Sequence, residues 1–535
     1  MTQASAGLPE KQEYDAVVLG SGPSELTCAL LLARRGRSVL VVERGRALGG
    51  PAALREFAPG FRAALAPAEA GHVSRRLVTS LGLGEHGFSP EARHWPLVGV
   101  GEGSPPLVLS GDLAASQGSI AAVSKRDAEQ WVSFATQMER LAAFMEALAT
   151  RDAVVLTNGQ DGLGARDLLS LAGHGLRLRS LGKADMIEML RVLPMAVADV
   201  LEDRFESERL KAMLAVTALA NLFQGPRSGG TGATLLHHHM GQARGAFGNR
   251  RFPTGERDHL VAALLAACKK AGVESVLGRK PKVAVESGRA VAVDLGGHSV
   301  KARAVISGAD PKRAFLEDLD PWHLAPEFVR AVTHVKLRGV RAVLLLGLDD
   351  ESALATLAPE CRKGTMVSAA SINEVERAYD HAKHGDFSKA PVLEVTVPSL
   401  HDASLAASGK HVMHVAAQFA PFSLRAREGG WTDETKGELK IAILRRLEAM
   451  FPGLGAGITA SRLYTPPDLE AELGLTEGHL YGGEMTLDQL FFMRPVAGAA
   501  HHETPIAGYY LTGDATHPGG GVPCRAGQLA ADRVP

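Results

Sequence analysis

Two features of this chain have the clearest chemical use: the turn Gly20-Ser21-Gly22 and a glutamate 21 positions after Gly22, Glu43. Glycines lack a Cβ, so main-chain N–H groups can approach a bulky anion, and a helix that starts there adds the positive end of its dipole. A carboxylate about 20 residues downstream suits the two hydroxyls of a ribose. The chemistry implied is dinucleotide binding, with pyrophosphate on the glycine turn and an adenosine ribose on Glu43. Glu25 breaks the pattern. The third position of the glycine motif calls for Gly or Ala, because small size there permits close helix–strand packing. A glutamate adds bulk and a negative charge beside a dianionic group. The fold signal is intact and the cofactor signal is damaged.

The elements that must hold these residues are legible around them. Ala16-Val17-Val18-Leu19 is a short apolar run, Leu26 to Ala33 is a compact apolar helix closed by Gly36, and Ser38 to Val42 is a second strand ended by Glu43. Strand, glycine turn, helix and strand make a βαβ unit. Arg44-Gly45-Arg46-Ala47-Leu48-Gly49-Gly50-Pro51 then forms a loop suited to carry the chain back over a bound cofactor, with Pro51 removing one donor. At the other end, Tyr509 to Thr512 reads as a strand. It leads into Gly513-Asp514-Ala515-Thr516-His517-Pro518-Gly519-Gly520-Gly521-Val522, a second set of main-chain donors opening a short helix. Asp514 is placed to accept from a ribityl hydroxyl; the alternative is a tight glycine turn with no ligand.

A chain of 535 residues exceeds one compact core, which predicts two intertwined domains. Its 58 basic and 59 acidic residues give a net charge of −1, so no nucleic-acid partner is expected. Four scattered cysteines, Cys28, Cys268, Cys361 and Cys524, lack metal-ligand spacing and fit a reduced, cytoplasmic chain. Residues 1–13 read as a loose polar tail. No apolar run reaches the ~18 residues of a spanning helix, so the protein is expected to be soluble or to rest on a membrane surface. Helices are predicted over Asp127–Ala149 and Asp258–Ala271, a longer helical region kinked at Pro194 over Lys183–Phe223, a hairpin at Val283–Leu295, and strands at Ala304–Ser307, Val340–Leu348, Val392–Val397 and Val412–Phe419. Thr432 caps a helix reaching Phe451. The stripe Met186, Met189, Leu190, Leu193, Val197, Val200, Leu201 reads as helix-packing core or as an adaptable wall for a long apolar ligand. His237-His238-His239 cannot all face one metal from a helix, so no metal site is expected and at most one of them faces a ligand.

The two ends together resemble the phytoene desaturase-like FAD oxidoreductases. Asp15 to Gly22, Leu26 to Ala33, Val42-Glu43-Arg44 and Leu48-Gly49-Gly50 carry that likeness. A closer likeness, to the branch called pyridine nucleotide-disulphide oxidoreductase domain-containing protein 2, rests on Gly225-Pro226-Arg227-Ser228, Leu235-Leu236-His237-His238, Leu487 to Pro495 and Thr516 to Val522. The resemblance implies an α/β fold with a Rossmann-type, glutathione-reductase-like FAD-binding domain and an intertwined α+β substrate domain. The FAD domain would comprise 14–75, 250–320 and 480–535, and the substrate domain with a helical cap 76–249 and 321–479. FAD would be held by Gly20, Ser21, Gly22, Glu43, Arg44, Gly49, Gly50, Gly513, Asp514, Gly520, Gly521 and Val522. Phe491, Phe492, Arg494 and His238 are flavin-face candidates by family position, with ordinary core and a structural arginine as the alternative. The resemblance names no catalytic acid or base. It further implies a long apolar substrate in a tunnel between domains and loose membrane attachment.

The departures from the family pattern cluster beside the cofactor: Glu25, Pro51, Pro253-Thr254-Gly255-Glu256 in place of a glycine-rich turn, Gly513-Asp514-Ala515, and Val522-Pro523-Cys524-Arg525. Three functions stay open at this level. One is an FAD-dependent desaturase or dehydrogenase acting on a hydrophobic small molecule, with FAD weakened by Glu25. A second is a cofactor-poor relative that keeps the fold as a binding or partner protein. The third is an FAD-retaining oxidase or isomerase. A homo-oligomer or a protein partner is compatible with each. One sheet is expected to hold the Tyr14–Glu43 unit, Ala304–Ser307 and Tyr509–Thr512. A large apolar cavity is expected between walls drawn from Lys183–Phe223 and Leu487–Arg494.

Overall fold

The computed structural model describes residues 7–66, 73, 75–88, 93–149, 151, 153, 165–241, 245–248, 250–252, 260–349, 351–522 and 524–535. The Pro253–Glu256 turn, Asp258 and Pro523 lie outside them. Three distant stretches meet in one seven-stranded sheet. Its parallel part runs Tyr509–Leu511, Ser299–Ser307, Glu13–Leu19, Val39–Glu43, Glu274–Leu277. The near-continuous Val, Leu and Ala of these strands is what burial on both faces demands. On one face Val18, Val41 and Ile306 pack under Cys28, Ala29 and Leu32 of the helix Pro23–Arg34. On the other, Val17, Leu40, Val42 and Val305 pack with Phe315 and Tyr509. Each large apolar side chain so buried contributes roughly 1.5–3 kcal/mol. The predicted hairpin extends the sheet antiparallel as Lys282–Glu286 and Arg289–Asp294, turning at Ser287 and Gly288, both at positive φ.

The C-terminal helix Arg525–Ala531 lies against the helix Pro23–Arg34. Gly527 makes the approach, since a Cβ there would stand 1.9 Å from the Ser24 carbonyl oxygen.

A second seven-stranded sheet runs Ile458–Tyr464, Arg341–Leu348, His411–Gln418, Val392–Thr396, Thr365–Val367, Leu97–Gly101, Ser104–Leu109, antiparallel except for its Thr365–Val367 and Leu97–Gly101 pair. Helix Asp433–Met450, capped by Thr432 and Thr435 in reciprocal hydrogen bonds, packs Leu439, Ile443 and Leu447 into its core. The helical region expected from Lys183 to Phe223, kinked at Pro194, is built of three helices, Lys183–Val192, Val197–Glu202 and Glu208–Ala218. Pro194 lacks the N–H that a helix needs to continue, and Ser207 caps a fresh start. Met189, Val192, Val197, Val200 and Leu201 are buried in a core with Trp131, Phe134 and Phe205, while Leu190 is 59% exposed. The stripe is helix-packing core.

Candidate dinucleotide site

A cleft with a volume of about 150 Å³ opens at the carboxyl ends of the parallel strands. Ligand sites in open α/β sheets lie at this edge. Gly20, at φ +105°, turns the chain out of the first strand, and Pro23 starts the helix after Gly22. The Ser21 hydroxyl donates to Glu43 and accepts from the Gly49 N–H at 2.9 Å. The second Glu43 oxygen accepts from the Gly45 N–H at 2.7 Å. This clasp ties the glycine turn, the end of the second strand and the following loop together, and leaves Glu43 8% exposed on the cleft wall. Arg44 pairs with the buried Asp318, whose carboxyl is pushed up by desolvation against the pull of that arginine. Both line the cleft, as do Gly50 and Pro51.

Glu25 turns inward. It is 6% exposed, with its carboxyl among Gly20, Gly22, Gly308 and Gly513. A Cβ on Gly308 would stand 2.0 Å from its Oε1, and one on Gly22 2.5 Å from its Oε2. The glutamate thus fills a hollow that glycines at three strand ends leave open. Burial pushes its pKa up to about 8, with Asp514 and Glu43 adding to the rise and the main-chain N–H groups of Glu25 and Gly22 opposing it. At neutral pH the group is mostly an uncharged acid. The like-charge penalty expected from the sequence is therefore largely reduced there.

At the far end, Asp514 and Ala515 line the cleft, and burial pushes Asp514 up to about 6 against the opposing charge of Arg494. Arg494 is enclosed by main chain. It is 2% exposed, and its guanidinium donates to the carbonyls of Tyr481, Gly483, Glu484, Gln489 and Asp514, the last at 2.6 Å. Desolvation lowers its pKa to about 10. Phe491 packs on the helical core at positive φ, and Phe492 is 38% exposed. His238 is half-buried, 5.4 Å from the His237 ring and 6.0 Å from Tyr481. None of these four lines the cleft. Gly513 abuts the Glu25 carboxyl, Gly520 is covered by Tyr481, Gly521 faces the same ring, and Val522 is buried in the helical core. Lys183–Phe223 and Leu487–Arg494 contribute no wall to this cleft. Among the described residues, no group of three or more His, Cys, Asp or Glu is placed to hold a metal ion. His237 meets the Gly520 carbonyl and His239 the Leu235 carbonyl.

Sequence reasoning missed Gly308, Asp310, Asp318, Thr476, His479 and Gly482, all on the cleft. Gly308 and Asp310 end a strand, which was a usable signal. His479 had none. It accepts from the N–H groups of Tyr481 and Gly483 at Nδ1, and so donates from Nε2 to the Asn221 carbonyl. Desolvation pushes its pKa down to about 3. It is a neutral ring fixed by main chain.

A glycine-lined cleft with an anchored glutamate at one end and a second glycine turn at the other marks a candidate dinucleotide site, with the Glu25 carboxyl filling the hollow under the first turn, and the fold is a mixed α/β Rossmann-like one. Residues 18–70 match the NAD(P)-binding Rossmann-like domain family. Over 556 residues the chain is 32% identical to pyridine nucleotide-disulfide oxidoreductase domain-containing protein 2 of Mus musculus, covering 99% of this chain and 95% of that one. It belongs to that family of oxidoreductases. It is 26% identical over 282 residues to a lycopene-forming phytoene desaturase of Paracoccus sp., covering 52% of this chain and 54% of that one. A limonene dehydrogenase polypeptide of Castellaniella defragrans is 24% identical over 564 residues, 98% of this chain and 95% of the relative. Putrescine oxidase bound to putrescine shares the fold at TM-score 0.59 and 14% identity, covering 98% of each chain.

Proposed function

We propose that this protein is an FAD-dependent oxidoreductase of the desaturase or dehydrogenase type acting on a hydrophobic small molecule. The observation that carries this reading is the Ser21–Glu43–Gly49 clasp at the mouth of a glycine-lined cleft. A carboxylate anchored beside a helix N-terminus suits the hydroxyls of an adenosine ribose, which supports the reading. Glu43 would hold the adenosine ribose, the Gly20–Gly22 turn the pyrophosphate, and Asp514 the ribityl chain. The half built on the first sheet (14–75, 250–320, 480–535) is the cofactor half, and the remainder the substrate half. When bound, FAD supplies the hydride acceptor. The chain's own residues bind it and exclude water. Similarity to a phytoene desaturase and a limonene dehydrogenase subunit supports an apolar substrate. Among the described residues, no helix is long and apolar enough to cross a membrane. We place the protein in the cytoplasm, resting at most on a membrane surface.

Flavin absorbance of the purified protein, before and after adding FAD at neutral pH, tests the cofactor. Anaerobic bleaching by a polyene or terpene substrate tests the activity. A protein that stays colourless with excess FAD overturns the proposal and favours a cofactor-poor binding protein, the reading that Glu25 in the glycine hollow supports.

A further inference from the structure

The hollow beneath the glycine turn borders the cleft that would take a dinucleotide, and in this chain the side chain of Glu25, which also lines that cleft, fills it. The Glu25 carboxyl sits against Gly20, Gly22, Gly308 and Gly513, at the first turn of the helix Pro23–Arg34. The titratable groups facing it among the described residues are Glu43 at the end of the neighbouring strand, Asp514 after the last strand, Cys28 on its own helix and Cys524 ahead of the C-terminal helix. These four are acids and thiols. Arg494, behind Asp514, gives its guanidinium to five main-chain carbonyls. A pyrophosphate would add more negative charge to a site that already holds two carboxylates.

We infer that Glu25 is a cofactor-binding residue that works as a neutral carboxylic acid: protonated, it can donate its O–H to a pyrophosphate oxygen, and ionised, it repels the cofactor. The inference rests on the proposed FAD site and assigns a role to the residue that interrupts its motif. Three features support it. The carboxyl has almost no water to stabilise its charge, its ionisable neighbours are acids and thiols, and burial together with Asp514 and Glu43 already raises its pKa to about 8. A bound dianion would raise it further, so cofactor and proton bind cooperatively. The sign follows. Affinity is full below the pKa and falls as pH rises through it, by up to tenfold per pH unit. Glutamine keeps the shape and a donor without the titration.

The test is FAD affinity, read by quenching of flavin fluorescence on titration into the apoprotein from pH 6.5 to 9.5, for wild type, Glu25→Gln and Glu25→Gly. The expected result is a wild-type Kd that rises at least about tenfold across that range, with both variants nearly flat and Glu25→Gln within a few-fold of wild type at pH 6.5. A flat wild-type profile, or Glu25→Gln following the same slope as wild type, overturns the inference while leaving the FAD proposal standing. Absence of flavin binding in wild type and Glu25→Gln at every pH overturns both.

Discussion

A carboxyl group enclosed by four glycines has exchanged water for main chain, so its neighbours decide its charge. The pKa of Glu25 rises from the usual 4.5 to about 8 because desolvation penalises the ion and Asp514 and Glu43 repel it. Linkage gives the stability consequence. The proton is bound in the folded state and lost in the unfolded state between those values, so stability falls as pH rises from about 4.5 to about 8. Relative to Glu25→Gln, wild type should lose up to about 1.4 kcal/mol per pH unit across that window. Denaturant melts of both proteins at pH 5, 7 and 9 measure it, and parallel profiles would show that the group does not titrate there. Arg494 carries a different kind of weight. It satisfies five carbonyls and joins the 481–489 segment to Asp514. Arg494→Ala should cost several kcal/mol, at about 1–3 per stranded buried group, seen as a lower urea midpoint. Loss of activity with an unchanged midpoint would instead point to direct contact with the reacting molecule.

Between elements, the fit of helix to sheet depends on glycines that match one glutamate. A Cβ on Gly308 meets Glu25 Oε1 at 2.0 Å, Cγ at 2.4 Å and Cδ at 2.5 Å, all from the one side chain. Gly308→Ala should therefore destabilise by about 1–3 kcal/mol through overpacking. The same change in a Glu25→Gly background should cost much less. The double-mutant cycle yields a coupling on the order of 1 kcal/mol or more if the contact is as described, and additivity would refute it. The Gly527 approach to Ser24 has no flexible partner. A Cβ there meets main chain at 1.9 Å, so Gly527→Ala should separate the two helices and lower the melting temperature, with no rescue by Glu25→Gly.

For the whole molecule, the first sheet is closed by its last strand. Tyr509–Leu511 pairs with the end of Ser299–Ser307, and the helix Arg525–Ala531 covers Cys28 and Ala29 with Ala530 and Ala531. Deleting residues 508–535 removes both and leaves one face of the Pro23–Arg34 helix exposed to water. We expect the truncated chain to lose its near-ultraviolet circular dichroism and its cooperative melt. A soluble truncation with a sharp transition would mean that the remaining strands hold the sheet alone.

The sequence by itself determined the βαβ unit and the strand that leads into Gly513, because periodicity and glycine spacing are local properties of the chain. It also placed Thr432 and its helix, since capping is settled within a few residues. Tertiary structure alone decided the rest. Whether Glu25 pointed to solvent or into the hollow depended on Gly308 and Gly513, hundreds of residues away in sequence. Its charge depended on Asp514 for the same reason. Arg494 is a flavin-face candidate by family position, with a structural arginine as the alternative. Four carbonyls of the 481–489 segment and that of Asp514 converge on its guanidinium in the folded chain. Burial and long-range electrostatics belong to no single stretch of sequence, so the assignments that turned on them came from the folded chain.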